Sequence, residues 1–273
     1  CLYGLQGIFD LLYKVMSIIV CPKCREKLNI DGNSLICVNN HSFDFSREGY
    51  VNLLLTNKSG DKKGDSKESA HARHNFLAKG YYDVLKNAIG KKMQGTVLDI
   101  CCGEGYYDTY DGELYGFDIS KEMVRLAAKS NKSGKYFVAN LSQIPLEDKS
   151  IDTAVHLFAP FNDREFARIL KDDGNLYSVI PGENHLIEMK ELLYDVPYKN
   201  DEKAPDSRLL QLVEREKVSE KVHISSEDLF ELFSMTPYFY RTSEQNKSRL
   251  KSSGDIDLIV EFVILKYQKK LDI

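Results

Sequence analysis

Val97-Leu98-Asp99-Ile100-Cys101-Cys102-Gly103-Glu104-Gly105 is the stretch on which the reading of the fold turns. A short apolar run, an acid at Asp99 and a turn closing on Gly103 and Gly105 describe a buried parallel strand that hands over to a phosphate- or nucleoside-binding loop in a doubly wound α/β sheet. Small residues in the turn let the backbone approach a ligand. The next strand-like run, Leu114 to Phe117, ends on Asp118. An acid at the tip of the second strand is placed to accept hydrogen bonds from a ribose diol. The two features support each other, because a glycine-rich turn alone is a weak signal.

Outward from this pair, strands are predicted at Thr96 to Ile100, Leu114 to Phe117, Lys135 to Asn140, Thr153 to Phe158 and Leu176 to Ile180, with helices from Ser120 to Lys129 and from Asp163 to Leu170. That alternation is the pattern of a mostly parallel sheet with crossover helices. So few residues separate Gly105 from Leu114 that the first crossover helix must be unusually short. Further on come a helix through His185, Met189 and Leu193, a polar segment from Asn200 to Asp206 and a strand-like run near Val218 to Ile224. Ser226 is expected to cap a helix carrying Leu229, Phe230, Leu232 and Phe233, and Ile256 to Lys266 reads as a closing strand that returns into the sheet.

Upstream, four side chains stand as Cys21-x2-Cys24-x12-Cys37-x3-His41. Both close pairs fit tight turns that aim two ligands at one tetrahedral Zn²⁺, and thiolate with imidazole suits zinc better than calcium or magnesium. Four protein ligands leave no open position for substrate, so the zinc is expected to be structural. Leu28 to Ile30 and Ser34 to Ile36, around Asp31-Gly32-Asn33, read as the hairpin of a ribbon too small to build its own core. Phe43 to Phe45 and Glu48 to Leu54 are strand-like. Asn57 to Ser69 is a hydrophilic linker, after which Ser66 or Ser69 caps a helix with Ala70, Ala72, Phe76 and Leu77, and a second helix starts from Tyr81. Residues 1–20 read as an extension, with Met16 as the natural start and no signal peptide. Residues 21–56 are the zinc ribbon, 57–94 the basic linker and helices, and 95–273 the sheet domain.

Composition bounds the partners. At 42% hydrophobic and 29% charged, the 273-residue chain is not disordered, and it lacks the apolar run of roughly 18 residues that a membrane span needs. A cytoplasmic protein is expected. The net charge of −4 conceals a local +5 over residues 21–92 and −9 over residues 93–273. An acidic total therefore does not exclude nucleic acid, although a small basic excess is also what a solvated face carries.

Several motifs point the same way when taken together: Cys-Pro-x-Cys, the downstream Cys-x3-His, Arg47-Glu-Gly-Tyr-Val-Asn-Leu-Leu54, Gly64-Asp-Ser66, Ala72-Arg-His-Asn-Phe-Leu77 and Cys102-Gly-Glu-Gly-Tyr-Tyr107. From about Cys21 to the C-terminus the chain resembles the RlmA-type 23S rRNA (guanine-N1) methyltransferases, which include the tylosin-resistance relatives. The resemblance implies S-adenosylmethionine (AdoMet) as methyl donor, a class I methyltransferase sheet, a zinc module that helps grip an rRNA hairpin, and a homodimer. No DNA or membrane partner is expected. The family's AdoMet contacts fall on Tyr82, Gly103, Glu104 and His185, with Asp118 at the ribose and Asn140 beside the adenine. Asp99 and Gly105 complete the cofactor set.

Three departures from the family pattern stand out. Cys101 occupies the first glycine position of the usual Gly-x-Gly-x-Gly loop, where a positive φ would strain it. His156-Leu157-Phe158-Ala159-Pro160-Phe161 replaces Arg-Ile-Tyr-Ala-Pro-Cys, at a segment tied to recognition of the target base. Lys171-Asp172-Asp173-Gly174 replaces a Lys-Pro-Gly-Gly turn.

Methyl transfer from a sulfonium is an in-line displacement, so the protein's task is mainly to position the reactants. Guanine N1 carries a proton at neutral pH, and a base is needed near the methyl group. His156 and Glu183 are the candidates, each expected near the carboxyl edge of a strand. As plain structural residues, His156 would be a packed strand-end histidine and Glu183 a helix N-terminal acid. His185 and Tyr82 have similar structural alternatives as a surface residue and a core aromatic. Tyr106, Tyr107, Phe158 and Phe161 offer stacking faces for an extruded base, and Arg25, Lys27, Arg47, Lys62, Lys63 and Arg73 offer contacts to the RNA backbone. Two other readings use the same features: an AdoMet-dependent enzyme for a small metabolite, and a catalytically inactive zinc-ribbon RNA-binding protein.

Overall fold

A computed structural model of the chain describes residues 18–55, 73–236 and 239–270. Met16, the linker expected at Asn57 to Ser69 with its capping serines, Lys62 and Lys63 lie outside the described residues. Three short strands, β1 (Asn29–Asp31), β2 (Ser34–Ile36) and β3 (Ser42–Asp44), form the ribbon as an antiparallel sheet. Its hairpin turns on Gly32, whose φ of +58° is a conformation glycine adopts without a Cβ clash. The expected strand from Glu48 to Leu54 is reduced to β4 (Val51–Asn52), which does not join the ribbon's sheet. It pairs in parallel with β7 (Lys135–Val138) at the edge of the large sheet.

That large sheet runs β10-β11-β9-β8-β5-β6-β7-β4. Its parallel strands are β5 (Thr96–Ile100), β6 (Glu113–Asp118), β7, β8 (Ile151–Leu157) and β9 (Leu170–Pro181), and the antiparallel strands β11 (Ile256–Lys269) and β10 (Leu210–Ile224) close one side. Strand order reverses at β5, which lies between β6 and β8, and a crevice at such a point receives ligands at the carboxyl ends of the strands. The strands are apolar on both faces because both are covered: Val97, Leu98, Leu114, Phe117, Phe137, Ala154 and Val155 are all buried. Phe117 and Phe137 stack at 5.6 Å between centroids. Burying one such ring contributes roughly 2–3 kcal/mol.

The helices that bear on the site are α1 (Asp83–Gly90), α2 (Lys121–Ser130), α3 (Asp163–Ile169) and α4 (Ile187–Leu193). Ser120 caps α2 by accepting the Met123 N–H, and Met123, Val124, Leu126, Ala127 and Ala128 supply its buried face. The short crossover helix expected after Gly105 does not form. Residues 101–112 are turns, bends and irregular backbone.

Other details also differ from expectation. Ser225, not Ser226, caps α5 (Ser226–Ser234), accepting from Asp228 N–H. The strand expected near Val218 begins at Leu210, because pairing with β11 on one side holds a segment that buries almost none of its side chains. Lys171 to Gly174 is a bulge within β9: Leu170 faces Ile151 and Asn175 faces Thr153, so four residues bow out opposite Asp152. Lys171 closes the bulge with an ion pair to Asp152 at 2.8 Å.

The ribbon is docked on the large sheet. Val20 N–H donates to Pro145 at 2.9 Å and Glu147 N–H to Ile18 at 2.8 Å. Ile19, Leu28 and Leu35 share one core cluster with Ile144 and Leu146. Among the described residues no helix is long and apolar enough to cross a membrane.

Candidate functional site

At the metal centre, β2 ends beside Cys37 and the turn before β1 carries Cys21 and Cys24, so a local hairpin brings the two close pairs of ligands together. Cys21 Sγ lies 3.5 Å from His41 Nδ1, Cys37 Sγ lies 3.4 Å from the same nitrogen, and Cys24 Sγ lies 3.6 Å from Cys37 Sγ. All four donor atoms fall within 4.8 Å of one another. A tetrahedron with Zn–S bonds of about 2.3 Å and a Zn–N bond of about 2.0 Å has edges of roughly 3.5–3.8 Å. The donor set and its spacing fit a closed structural zinc site, with Nδ1 as the histidine ligand.

The carboxyl edge of the parallel strands carries most of the remaining residues. Cys101 leaves β5 with φ +59°, so a cysteine does occupy the left-handed conformation that the glycine position requires, at a cost of about 1–2 kcal/mol. Burial pushes its thiol up to about 12, with Asp118 and Asp99 adding to the shift. Gly103 follows at φ +55°, and the space where its Cβ would project is open. At Gly105 (φ +74°) a Cβ would meet Asp108 Oδ2 at 2.9 Å and Ala127 Cβ at 3.1 Å. Asp118, at the tip of β6, fastens the loop by accepting Gly103 N–H at 3.1 Å through Oδ2 and Ser120 N–H at 2.8 Å through Oδ1. Asn140 is exposed beyond the end of β7, with its side-chain oxygen accepting Ser142 N–H at 2.9 Å.

Asp99 sits beneath this loop rather than on its surface, 1% exposed, and neither carboxyl oxygen meets a donor. Burial, reinforced by Asp108, raises its pKa well above the carboxylate range. The neighbouring Asp108 accepts Tyr136 O–H at 2.6 Å and is also shifted upward by burial. Two buried carboxyls side by side cannot both ionise cheaply, so the pair retains a proton. Glu104 is buried in the loop, with Oε1 3.1 Å from His74 Nδ1 on the helical residues 73–77.

Tyr82 and His185 converge from opposite ends of the sequence. Tyr82 precedes α1 and packs edge-on against Phe262 at 5.1 Å and His185 at 5.9 Å. Its neighbour Asp83 accepts Tyr106 O–H at 2.7 Å, which ties α1 to the glycine loop. His185 Nδ1 accepts Glu261 N–H at 3.2 Å, so the ring hydrogen is on Nε2. Burial, with Lys190 nearby, lowers its pKa to about 3. It is therefore a neutral donor at physiological pH.

His156 and Glu183 fare differently as candidate bases. His156 is 2% exposed on β8; its Nδ1 lies 3.0 Å from Ser178 Oγ and its Nε2 3.1 Å from Pro160 O. A carbonyl can only accept, so Nε2 carries the hydrogen and Nδ1 accepts from Ser178. Burial holds its pKa near 4. With both nitrogens committed, it has no lone pair to offer a substrate proton. Glu183 is half-exposed after β9 and pairs with Lys199 at 3.1 Å; it precedes α4 but does not cap it.

The basic residues scatter. Arg25 does not face solvent as a free cation: it donates to Ile144 O at 3.0 Å and Leu146 O at 2.8 Å, pinning the ribbon to the sheet domain. Lys27 pairs with Glu147 at 3.0 Å while most of its surface stays exposed. Arg47 is exposed at a ribbon turn, and Arg73 is half-buried at the start of the helical residues. Sequence reasoning missed Asp108 and Phe262. The first looked like an ordinary loop acid, and the second became visible only when β11 returned beside β9.

Family models match at two places: "RlmA, N-terminal" over residues 19–60 and "Methyltransferase domain" over residues 97–174. The "Putative 23S rRNA (guanine-N(1)-)-methyltransferase YxjB" of Bacillus subtilis (strain 168) is 31% identical over 91% of this chain and 96% of its own length. The 23S rRNA (guanine(748)-N(1))-methyltransferase of Streptomyces fradiae is 32% identical over 66% of this chain and 69% of its own. Among solved structures, the YcgJ protein from Bacillus subtilis aligns with a TM-score of 0.43 and 16% identity over 70% of this chain and all of its own. The zinc ribbon, the methyltransferase sheet and the near full-length relative together establish that the chain belongs to the RlmA-type 23S rRNA (guanine-N1) methyltransferase family.

Proposed function

We infer that this protein transfers a methyl group from AdoMet to N1 of a guanine in a 23S rRNA hairpin. The observation that carries the reading is the co-occurrence, in one chain, of a closed Cys3His zinc ribbon and a glycine loop bracketed by Asp118 at the switch point of the sheet. A metabolite enzyme of this fold has no evident use for the ribbon.

AdoMet, when bound, supplies an activated methyl and a neutral leaving group. The chain's residues do the rest. Asp118 would accept from the ribose diol, Asn140 would border the adenine, and the Gly103-Glu104-Gly105 backbone would approach the sulfonium end. His185 would present its Nε2–H, and Tyr82 would wall the cleft. The Asp99–Asp108 pair, holding one proton between them, would support the loop from below. Since His156 is committed on both nitrogens, Glu183 is the group assigned to take the N1 proton. Residues 21–56 form the RNA-gripping module and 95–273 the catalytic one, with Lys27, Arg47, Arg73, Lys62 and Lys63 assigned to phosphates and Arg25 to docking the ribbon. A homodimer in the cytoplasm completes the reading, and light scattering checks the dimer.

The test is tritium transfer from labelled AdoMet to a 23S rRNA hairpin transcript over a salt series. Counts in RNA that fall steeply with salt support the proposal, because phosphate contacts release counterions. AdoMet binding with no transfer to any RNA favours a small-molecule substrate.

A further inference from the structure

We propose that Phe158 is the platform on which the target purine stacks once it leaves the RNA. This rests on the guanine methyltransferase reading and assigns the base's position within it. Of the four aromatics that could offer a stacking face, three are occupied. Tyr107 is buried, Tyr106 donates its hydroxyl to Asp83 and has Lys86 Nζ 4.3 Å from its ring centre, and Phe161 packs against His156, Phe166 and Tyr267. Phe158 is 48% exposed and rests on Phe262 at 5.7 Å, which leaves much of its surface open.

Its position is the second argument. Ile100 of β5 lies opposite His156 of β8, so Cys101 and the residues after His156 leave the sheet side by side. Phe158 therefore stands next to the cofactor loop, on the side away from Asp118 and Asn140. Phe262, beneath it, also contacts Tyr82 and His185. A purine on this ring would lie at the end of the cleft opposite the assigned ribose site, where the methyl group must be delivered.

The backbone is the third argument. Phe158 has φ +55°, an outlier for a bulky residue, and such a conformation persists where the surroundings enforce it. The surroundings here are the bonds of His156, whose Nε2–H holds Pro160 O while Ser178 holds Nδ1, which anchors the residues 158–160 from which Phe158 projects. His156 is thus a positioning residue for the platform.

The experiment compares Phe158→Gly and Phe158→Tyr with the wild-type enzyme. Glycine suits the positive φ, so that variant folds, and its AdoMet Kd should stay within about twofold of wild type. Its kcat/KM on the RNA should fall roughly 10- to 100-fold, as expected for loss of one base–aromatic stack, while tyrosine stays within about fivefold. With 2-aminopurine at the mapped target position, wild-type enzyme should quench the emission of the extruded base, and Phe158→Gly should leave it bright. Undiminished methylation by Phe158→Gly, or equal emission with both proteins, overturns the platform. Absence of methyl transfer to RNA by wild-type enzyme that binds AdoMet instead removes the reading on which the platform rests.

Discussion

Replacing His156 with glutamine should remove a defined part, about 2.5 kcal/mol, of the stability the protein loses in acid. A histidine whose folded pKa is about 4, against about 6.5 in the unfolded chain, binds its proton only on unfolding across that window. Its contribution to stability is intact above about pH 6.5 and declines as pH falls toward 4, with the unfolded state binding the extra proton. Integrating between about pH 7.5 and about pH 4.5 gives a loss of about 2.5 kcal/mol from His156. His185, with a folded pKa of about 3, adds a similar loss of about 2.5 kcal/mol. Together they remove about 5 kcal/mol from a stability of roughly 5–15 kcal/mol. Glutamine can still donate to Pro160 O but does not titrate. The variant will pay about 1–2 kcal/mol at neutral pH for the altered bond to Ser178. That offset cancels when each protein is compared with itself at two pH values. Urea denaturation of both proteins at the two pH values should show the pH-dependent loss shrinking by about 2.5 kcal/mol in His156→Gln. An unchanged loss would refute the assignment of His156 as a buried neutral clamp.

Three further outcomes are expected. Cys37→Ser should abolish zinc retention measured by elemental analysis and expose the ribbon to protease, with RNA affinity falling at least about tenfold, because the metal supplies folding energy to a module with little core of its own. Asp118→Ala should raise the AdoMet Kd by roughly 10- to 100-fold in calorimetry, the size expected for losing charge-assisted hydrogen bonds of about 1.5–3 kcal/mol. Glu183→Gln should lower kcat about 100-fold or more in single-turnover assays, with AdoMet affinity unchanged, because a general base acts on the chemical step.

The parts of this fold that were legible in the sequence are those governed by local chemistry. Cys21, Cys24, Cys37 and His41 lie close along the chain, and their spacing already implies the tetrahedron that the folded ribbon forms. The apolar run into Gly103 and the acid at Asp118 were readable because both sides of a parallel strand are buried. What escaped depended on partners remote in sequence. Arg25 looks like an RNA contact until the Ile144 and Leu146 carbonyls arrive from the other domain. His156 resembles a base until Ser178 and Pro160 take both nitrogens. The first half of β10 buries only Leu210 and leaves Leu212 and Val213 exposed, since backbone pairing with β11 rather than burial holds it in place. Val51 and Asn52 look like ribbon residues, yet they extend the large sheet, a parallel pairing that no local pattern encodes.

The most direct test of the account is to incubate the purified, zinc-loaded protein with AdoMet and unmodified 23S rRNA, digest the RNA and search for 1-methylguanosine by mass spectrometry, with reverse transcription to locate the stop. The account predicts that nucleoside, at one hairpin guanine, only when AdoMet is present. A protein that binds AdoMet and retains zinc but leaves 23S rRNA without 1-methylguanosine, both as free RNA and in the ribosomal subunit, would contradict it.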